Sequence, residues 1–202
     1  NIGKVNNKGL EFNLTSRNLT GDLSWSTDFN YSSNKNKVVE LGNNNEPIFS
    51  KGSAGIRHVT RGGDEIGSYY GYVVEGIYQN QSDIDNAPTD KMAKAPRPGD
   101  FKFKDINGDG VIDGNDRTVT GSYHPDFIWG ITNRLQYKNF DLSIFLQGVE
   151  GREILNLTAR HMKNGEANFN SYDVLNNRWR SESEPGDGKT PRADRSTGTH
   201  GN

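Results

Sequence analysis

Apolar residues recur at every second position in four stretches of the chain. Leu10, Phe12 and Leu14 alternate with Glu11, Asn13 and Thr15. Leu23, Trp25, Phe29 and Tyr31 alternate with Ser24, Ser26, Asp28, Asn30 and Ser32. Far downstream, Phe127, Trp129, Ile131, Leu135 and Tyr137 share one parity against Thr132, Arg134, Gln136 and Lys138. Phe140, Leu142, Ile144 and Leu146 then alternate with Asp141, Ser143 and Gln147. Only Ile128 and Phe145 break the pattern. A period of two marks a strand with one apolar face. Asn18 to Asp22 and Lys138-Asn139 supply turn residues. The pattern therefore predicts two antiparallel hairpins, over 9–33 and 126–148, in an all-β chain.

The strands are roughly 8–12 residues long, about what a tilted membrane-crossing strand needs. Within each hairpin the turn is short, whereas the link between hairpins runs over residues 34–125 and a second long segment over 149–202. Ordinary loops are about 4–6 residues. Short turns at one end and long loops at the other are the asymmetry of outer-membrane barrels. Tyr31, Phe127 and Trp129 fall toward the long-loop end, and Tyr137 and Phe140 flank the short turn, as aromatic girdles at two interfaces require. A soluble sandwich alternates in the same way and stays open as the competing fold.

The long link has structure of its own. Tyr69 to Tyr78 is rich in strand formers, Asn80 to Asp85 reads as a turn or helix start, and Pro88, Pro96 and Pro98 mark an extended connector over 86–99. Phe101 and Phe103 alternate with Lys102 and Lys104 in a short strand. Residues 34–63, with Asn43-Asn44-Asn45 and Gly62-Gly63, read as flexible and polar. Residues 181–202 carry almost no apolar anchors and read as exposed loop or disordered.

One motif carries explicit chemistry. Residues 105–116 fit a twelve-residue calcium loop. Asp105, Asn107 and Asp109 stand at positions one, three and five, Gly110 at the turn and the Val111 carbonyl at position seven. Asp113 takes position nine, and Asp116 position twelve, where the pattern has Glu. Calcium wants about 6–8 hard oxygens, and clustered carboxylates need a cation to relieve their repulsion. The expected role is structural, stiffening a long loop.

Composition narrows the alternatives. Of 202 residues only 31% are hydrophobic, too few for a large dry core. Lys+Arg is 24 against Asp+Glu 26, so no basic stripe points to nucleic acid. The absence of Cys excludes disulfides and thiolate metal sites. His58, His124, His161 and His200 are scattered, and neither a nucleophile elbow nor a phosphate loop occurs. Nothing points to an enzyme. The N-x-S/T triplets at Asn13, Asn18, Asn30, Asn80 and Asn156 follow from an Asn-rich composition.

Several stretches, in order, resemble the C-terminal part of the SusC/RagA-type TonB-dependent outer-membrane transporters of Bacteroidetes. They are Asn1 to Glu11, Gly71 to Gln79, Pro98 to Arg117, Phe127-Ile128-Trp129-Gly130, Tyr137 to Ser143 with Gln147-Gly148, Asn177-Arg178-Trp179 and Pro191-Arg192-Ala193. The resemblance implies part of a large antiparallel transmembrane barrel with an N-terminal plug. It also implies import of glycans, or of peptides in some members, a SusD-like lipoprotein as surface lid, and TonB as the energy source. Plug, TonB box and most strands are missing here, and four strands fall short of the eight that close the smallest barrel. The chain is therefore expected to be a piece of a larger protein, not transport-competent alone. The alternative function is a soluble calcium-dependent carbohydrate-binding or adhesin sandwich module.

Overall fold

The computed structural model describes residues 3–42, 44–51, 57–92, 95–156, 158, 162–163 and 173–193. In chain order the strands are β1 (Gly3–Thr20), β2 (Leu23–Leu41), β3 (Ile48–Lys51), β4 (Arg57–Thr60), β5 (Ser68–Gly71) and β6 (Val74–Ile77). After helix α1 (Gln81–Asp85) come β7 (Thr89–Asp90), β8 (Phe101–Phe103), β9 (Val111–Ile112), β10 (Thr118–Gly121), β11 (Phe127–Tyr137) and β12 (Phe140–Glu150). The chain divides into two units, residues 1–69 with 121–154, and residues 70–120 with 155–202.

The first unit is built on one antiparallel sheet in the order β1-β2-β11-β12. Its register turns the alternation into two faces. Rows across the sheet read Phe12, Tyr31, Trp129 and Gly148; then Leu14, Phe29, Ile131 and Leu146; and, nearer the turns, Leu19, Trp25, Leu135 and Leu142. The rows between them point the other way: Thr15, Asp28, Thr132 and Phe145; Arg17, Ser26, Arg134 and Ser143. One face is thus almost wholly apolar and the other polar, with the Asp28 carboxylate held by the Arg134 guanidinium and by the Thr15 hydroxyl at 2.8 Å. Leu10, Leu14, Leu142 and Leu146 are each at least half exposed, and Phe140 is 79% exposed. A sandwich would bury that face in a two-sheet core. Its exposure across four strands leaves the sandwich alternative without its core. Among the described residues no helix is long and apolar enough to cross a membrane.

Aromatic rings sit at both ends of the apolar face. Tyr31 stacks on Phe127 at 5.4 Å, and Phe12 lies 6.2 Å from Phe29. Trp129 packs against Gly148, where a Cβ would fall 2.2 Å from Nε1. Gly148→Val should force the indole out of place, costing about 1–3 kcal/mol and blue- or red-shifting Trp129 fluorescence. Unchanged emission would refute that packing.

The first hairpin is longer than its alternation. The ribbon reaches from Gly3 to Leu41, past the predicted 9–33, and takes up residues 34–41 of the segment read as flexible. Val38 and Leu41 are buried there, Val38 exchanges backbone hydrogen bonds with Gly63 and Asp64, and the Asn36 carboxamide accepts from the Ile66 amide at 2.8 Å. A ladder needs only paired backbone, so it continues where apolar alternation stops. β3 and β4 form a further hairpin, Ile48 opposite Thr60.

In the second unit β6 pairs antiparallel with β8, and β7 pairs parallel with β9. The short strand predicted at Phe101–Phe103 forms as β8, and Asn80 caps α1 by accepting from the Asp83 amide. Ile77, Tyr78, Phe103 and Ile112 are buried, with Tyr72 packed 5.4 Å from Phe103 and Arg117 4.8 Å over Tyr72. Residues 194–202 of the predicted disordered tail lie outside the described residues.

Candidate functional site

Residues 105–116 fold as consecutive side-chain-to-backbone turns, the habit of Asp and Asn beside Gly. Asp105 accepts from the amides of Gly108 and Gly110 at 2.7 and 2.8 Å, with both glycines at positive φ. Asn107 accepts from the Asp109 amide at 3.0 Å, and Asp109 from the Val111 amide at 2.9 Å. Asp113 accepts from Asn115 at 2.8 Å and caps a single 3-10 turn, Gly114–Asp116. Val111 and Ile112 lie in β9, so the Val111 carbonyl is set by a strand.

Asp116, the predicted position-twelve ligand, is fully buried. One oxygen accepts from Ile106 at 2.9 Å and the other from Asp113 at 2.7 Å, closing a capping box. Burial works against its charge. The amides of Asp113, Ile106 and Asn107, with a hydrogen bond to Asp105, outweigh burial and hold the carboxyl below its ordinary value of 3.8. A depressed folded pKa gives stability that is full above the ordinary value and is lost as pH falls through the folded one. Amide exchange at Ile106 and Asp113 should therefore stay slow from neutral pH to about 4 and quicken below it. An Asp116→Asn variant should lack that acid step. Among the described residues, no three His, Cys, Asp or Glu groups converge where a metal could sit. The loop's carboxylates are turned onto its own amides.

A second constellation joins motifs far apart in sequence. Pro98-Gly99-Asp100 forms a tight turn with Gly99 at φ 89, beneath Trp179: a Cβ on Gly99 would lie 2.5 Å from the indole. Trp179 Nε1 donates to the Gln79 carbonyl at 3.3 Å, and its backbone amide donates to Thr190. The Asp100 carboxylate accepts from Arg192 Nε at 2.7 Å and from the Arg97 amide at 2.9 Å. Both side chains of that ion pair are nearly buried. Backbone bonds from Tyr78 to Asp100, Gly99 to Tyr78 and Arg192 to Gly99 complete a knot. Burial, with Asp90, Asp100 and Glu75 nearby, pushes the Tyr78 hydroxyl above its ordinary value.

The segment 181–202 reads in sequence as exposed loop or disordered; residues 181–193 form a turn-rich, mostly exposed loop, and the knot pins it. Its anchors are one indole and one guanidinium, which a count of apolar residues passes over. The signal available in sequence was the family resemblance of the stretches holding Pro98-Gly99-Asp100, Asn177-Arg178-Trp179 and Pro191-Arg192, here brought to one place.

No protein-family model matches the chain. It is 40% identical over 182 residues to TonB-dependent receptor P3 of Formosa agariphila, covering 87% of this chain and 18% of that protein. It is 28% identical over 156 residues to TonB-dependent receptor SusC of Bacteroides thetaiotaomicron, covering 73% of this chain and 14% of SusC. A solved structure of the RagAB peptide importer in the "open-open" state superposes with a TM-score of 0.65 at 17% identity, covering 96% of this chain and 20% of that one. The chain thus spans at most about a fifth of the length of these relatives. In sequence and in fold, it belongs to the TonB-dependent receptors of the SusC/RagA kind.

Proposed function

We propose that the chain forms a stretch of barrel wall and outer loops in an outer-membrane receptor that imports nutrients. The sheet β1-β2-β11-β12 faces acyl chains on one side and the water-filled lumen on the other. The two-faced register carries this reading: an apolar face exposed over four strands beside a face bearing the Asp28–Arg134 pair. Lipid accepts strands only where the ladder is closed, since each unpaired backbone group there costs several kcal/mol. The free edges of β1 and β12 are therefore met by neighbouring strands of the same receptor.

The solute is a glycan or oligosaccharide, or else a peptide, delivered by a SusD-like surface lipoprotein, with TonB acting through a plug. The knot around Trp179 and Asp100 gives the outer loops a fixed shape against that lid. Uptake of fluorescent oligosaccharides and of peptides by cells carrying the receptor tests this. One class should enter, and entry should stop when TonB is deleted. Entry of neither class, or entry without TonB, contradicts the proposal.

We also propose a structural calcium at 105–116, on Asp105, Asn107, Asp109, the Val111 carbonyl and Asp113, with Asp116 holding the loop closed. As folded here the carboxylates do not converge on a metal, so Asp105 and Asp109 would exchange amide partners for the ion. Calorimetry on the receptor should record calcium uptake that Asp109→Ala abolishes. No uptake would leave the loop held by its amides alone.

A further inference from the structure

Past the rings at the long-loop end, the apolar face turns basic. On β1 and β2 its side chains run from Phe12 and Tyr31 to Leu10 and Ser33, and then to Lys8 and Lys35, which stand directly opposite each other. Lys37, opposite Asn6, is the diagonal neighbour of Lys8. No bulge interrupts this stretch, so the three lysines share the side of Leu10 and Tyr31. Burial agrees. Lys35 and Lys37 are exposed, whereas Asn36 and Val38, which point the other way, are buried where the ribbon meets Gly63, Asp64 and Ile66. Like charges directly opposite each other destabilise a strand pair. The chain answers them only in part. The Asp126 carboxylate lies 3.3 Å from Lys35 Nζ, and the Asp126 carbonyl accepts from the Ser33 hydroxyl at 2.7 Å, which holds it beside β2. Lys8 and Lys37 make no ion pair among the described residues. Two further acids near this level stand apart: Glu40 is opposite Lys4, beyond a bulge, and Glu150 is opposite Phe127, two strands from β2.

Facing Cβ atoms on paired strands lie about 4.5–5.5 Å apart and diagonal ones about 7–8 Å, so three flexible lysine stems can bring their ammonium groups onto one anion. Three lysines against one aspartate leave a net charge of about +2. A phosphate monoester carries roughly −1.5 to −2 near pH 7 and offers three acceptor oxygens, and lysine binds phosphate as a point charge. Depth selects where that phosphate comes from. Lys8 and Lys35 stand one row past Leu10 and Ser33, about 7 Å along the strands. On the proposed reading of this face as lipid-facing, acyl chains give way to headgroups at that level. Lysine stems lie along apolar surface while their charge reaches the polar layer, and basic clusters there attract anionic headgroups. We infer that Lys8, Lys35 and Lys37 form a docking surface for the phosphate monoester headgroup of an outer-leaflet lipid, with Asp126 steadying Lys35.

Lipid-selective quenching tests this on the whole receptor, freed of other cysteines and reconstituted in phosphatidylcholine vesicles. The chain has no cysteine of its own. A fluorophore is attached to the Leu10→Cys variant, and a small fraction of the lipid is exchanged for a brominated one. Brominated phosphatidic acid, a phosphate monoester, should quench several-fold more than brominated phosphatidylcholine at the same fraction. Adding Lys8→Gln and Lys37→Gln should bring the two lipids level. The membrane reading is scored separately, by brominated phosphatidylcholine acting on a label at Leu142→Cys, which also reports that each variant is folded in the bilayer. Quenching at 142 with equal quenching by both lipids at 10 overturns the headgroup site and leaves the wall reading intact. A preference that survives the two lysine substitutions overturns the assignment to these residues. A preference erased by inorganic phosphate, but not by chloride at the same ionic strength, assigns the lysines to the free ion and overturns the lipid. Absent quenching at both 10 and 142 overturns the wall reading itself.

Discussion

Asp100→Ala should loosen the outer-loop unit more than any other single substitution there. Arg192 would be left nearly buried beside a turn that no longer answers its charge, and breaking such a pair from one side costs about 3–5 kcal/mol. The same carboxylate accepts from the Arg97 amide, so the Pro98-Gly99-Asp100 turn loses its internal brace at the same stroke. Trp179 sits on that turn and shares the movement. The expected result is rapid proteolysis across 95–105 and 178–193 in the whole receptor, with the wall strands still protected. Asp100→Ala combined with Arg192→Met should recover most of the protection, because it removes the stranded charge and keeps an apolar stem. If the double variant is cleaved as fast as the single one, the pair does not hold the knot. Unchanged proteolysis in Asp100→Ala would dismiss the knot as an anchor.

The second large effect separates neighbours in sequence. Ile131 and Thr132 are adjacent in β11 but lie on opposite faces, Ile131 beside Phe29 and Leu146, Thr132 beside Asp28 and Phe145. An arginine on the lipid face near mid-depth destabilises a barrel by about 2–4 kcal/mol, whereas lumenal substitutions are mild. Ile131→Arg should therefore lower the receptor's unfolding midpoint and its yield in the membrane, and Thr132→Arg should be near neutral, with Asp28 close by to accept the new charge. Equal cost at both positions would show that β11 does not divide lipid from water.

The sheet was legible in sequence to the extent that one face is wet. Leu10 to Leu14, Leu23 to Tyr31, Phe127 to Tyr137 and Phe140 to Leu146 each show period two because every other side chain must avoid the apolar side. Phe145 broke the pattern and does lie on the polar face, opposite Thr132. What alternation could not reveal is which hairpins adjoin. The pairing of β2 with β11 joins Tyr31 to Trp129 across the long loop, and nothing local encodes it. Nor does period two mark where the ribbon ends, since β1 and β2 continue to Gly3 and Leu41 on backbone pairing.

The candidate site was legible by a different signal. Asp, Asn and Gly at fixed spacing from 105 to 116 identified a tightly turned loop, and the same residues satisfy the calcium pattern and a chain of amide-bonded turns. Spacing alone cannot say which partner the carboxylates take. Asp116 shows the ambiguity most clearly: the expected position-twelve oxygen pair is spent on the Ile106 and Asp113 amides. That Asp100 and Arg192 pair was not legible, because they lie 92 residues apart in sequence, Asp100 just past the connector over 86–99 and Arg192 in the stretch read as exposed loop or disordered.

The function proposed above requires a wall with acyl chains on one side and water on the other. A cysteine scan of 141–147 in β12, on the whole receptor in membranes, tests that most directly. With such a wall, 142, 144 and 146 resist a water-soluble maleimide and carry labels quenched by brominated lipid, while 141, 143, 145 and 147 react and escape quenching. Uniform reactivity along the strand, or quenching at 143 and 145 in place of 142 and 144, would contradict it.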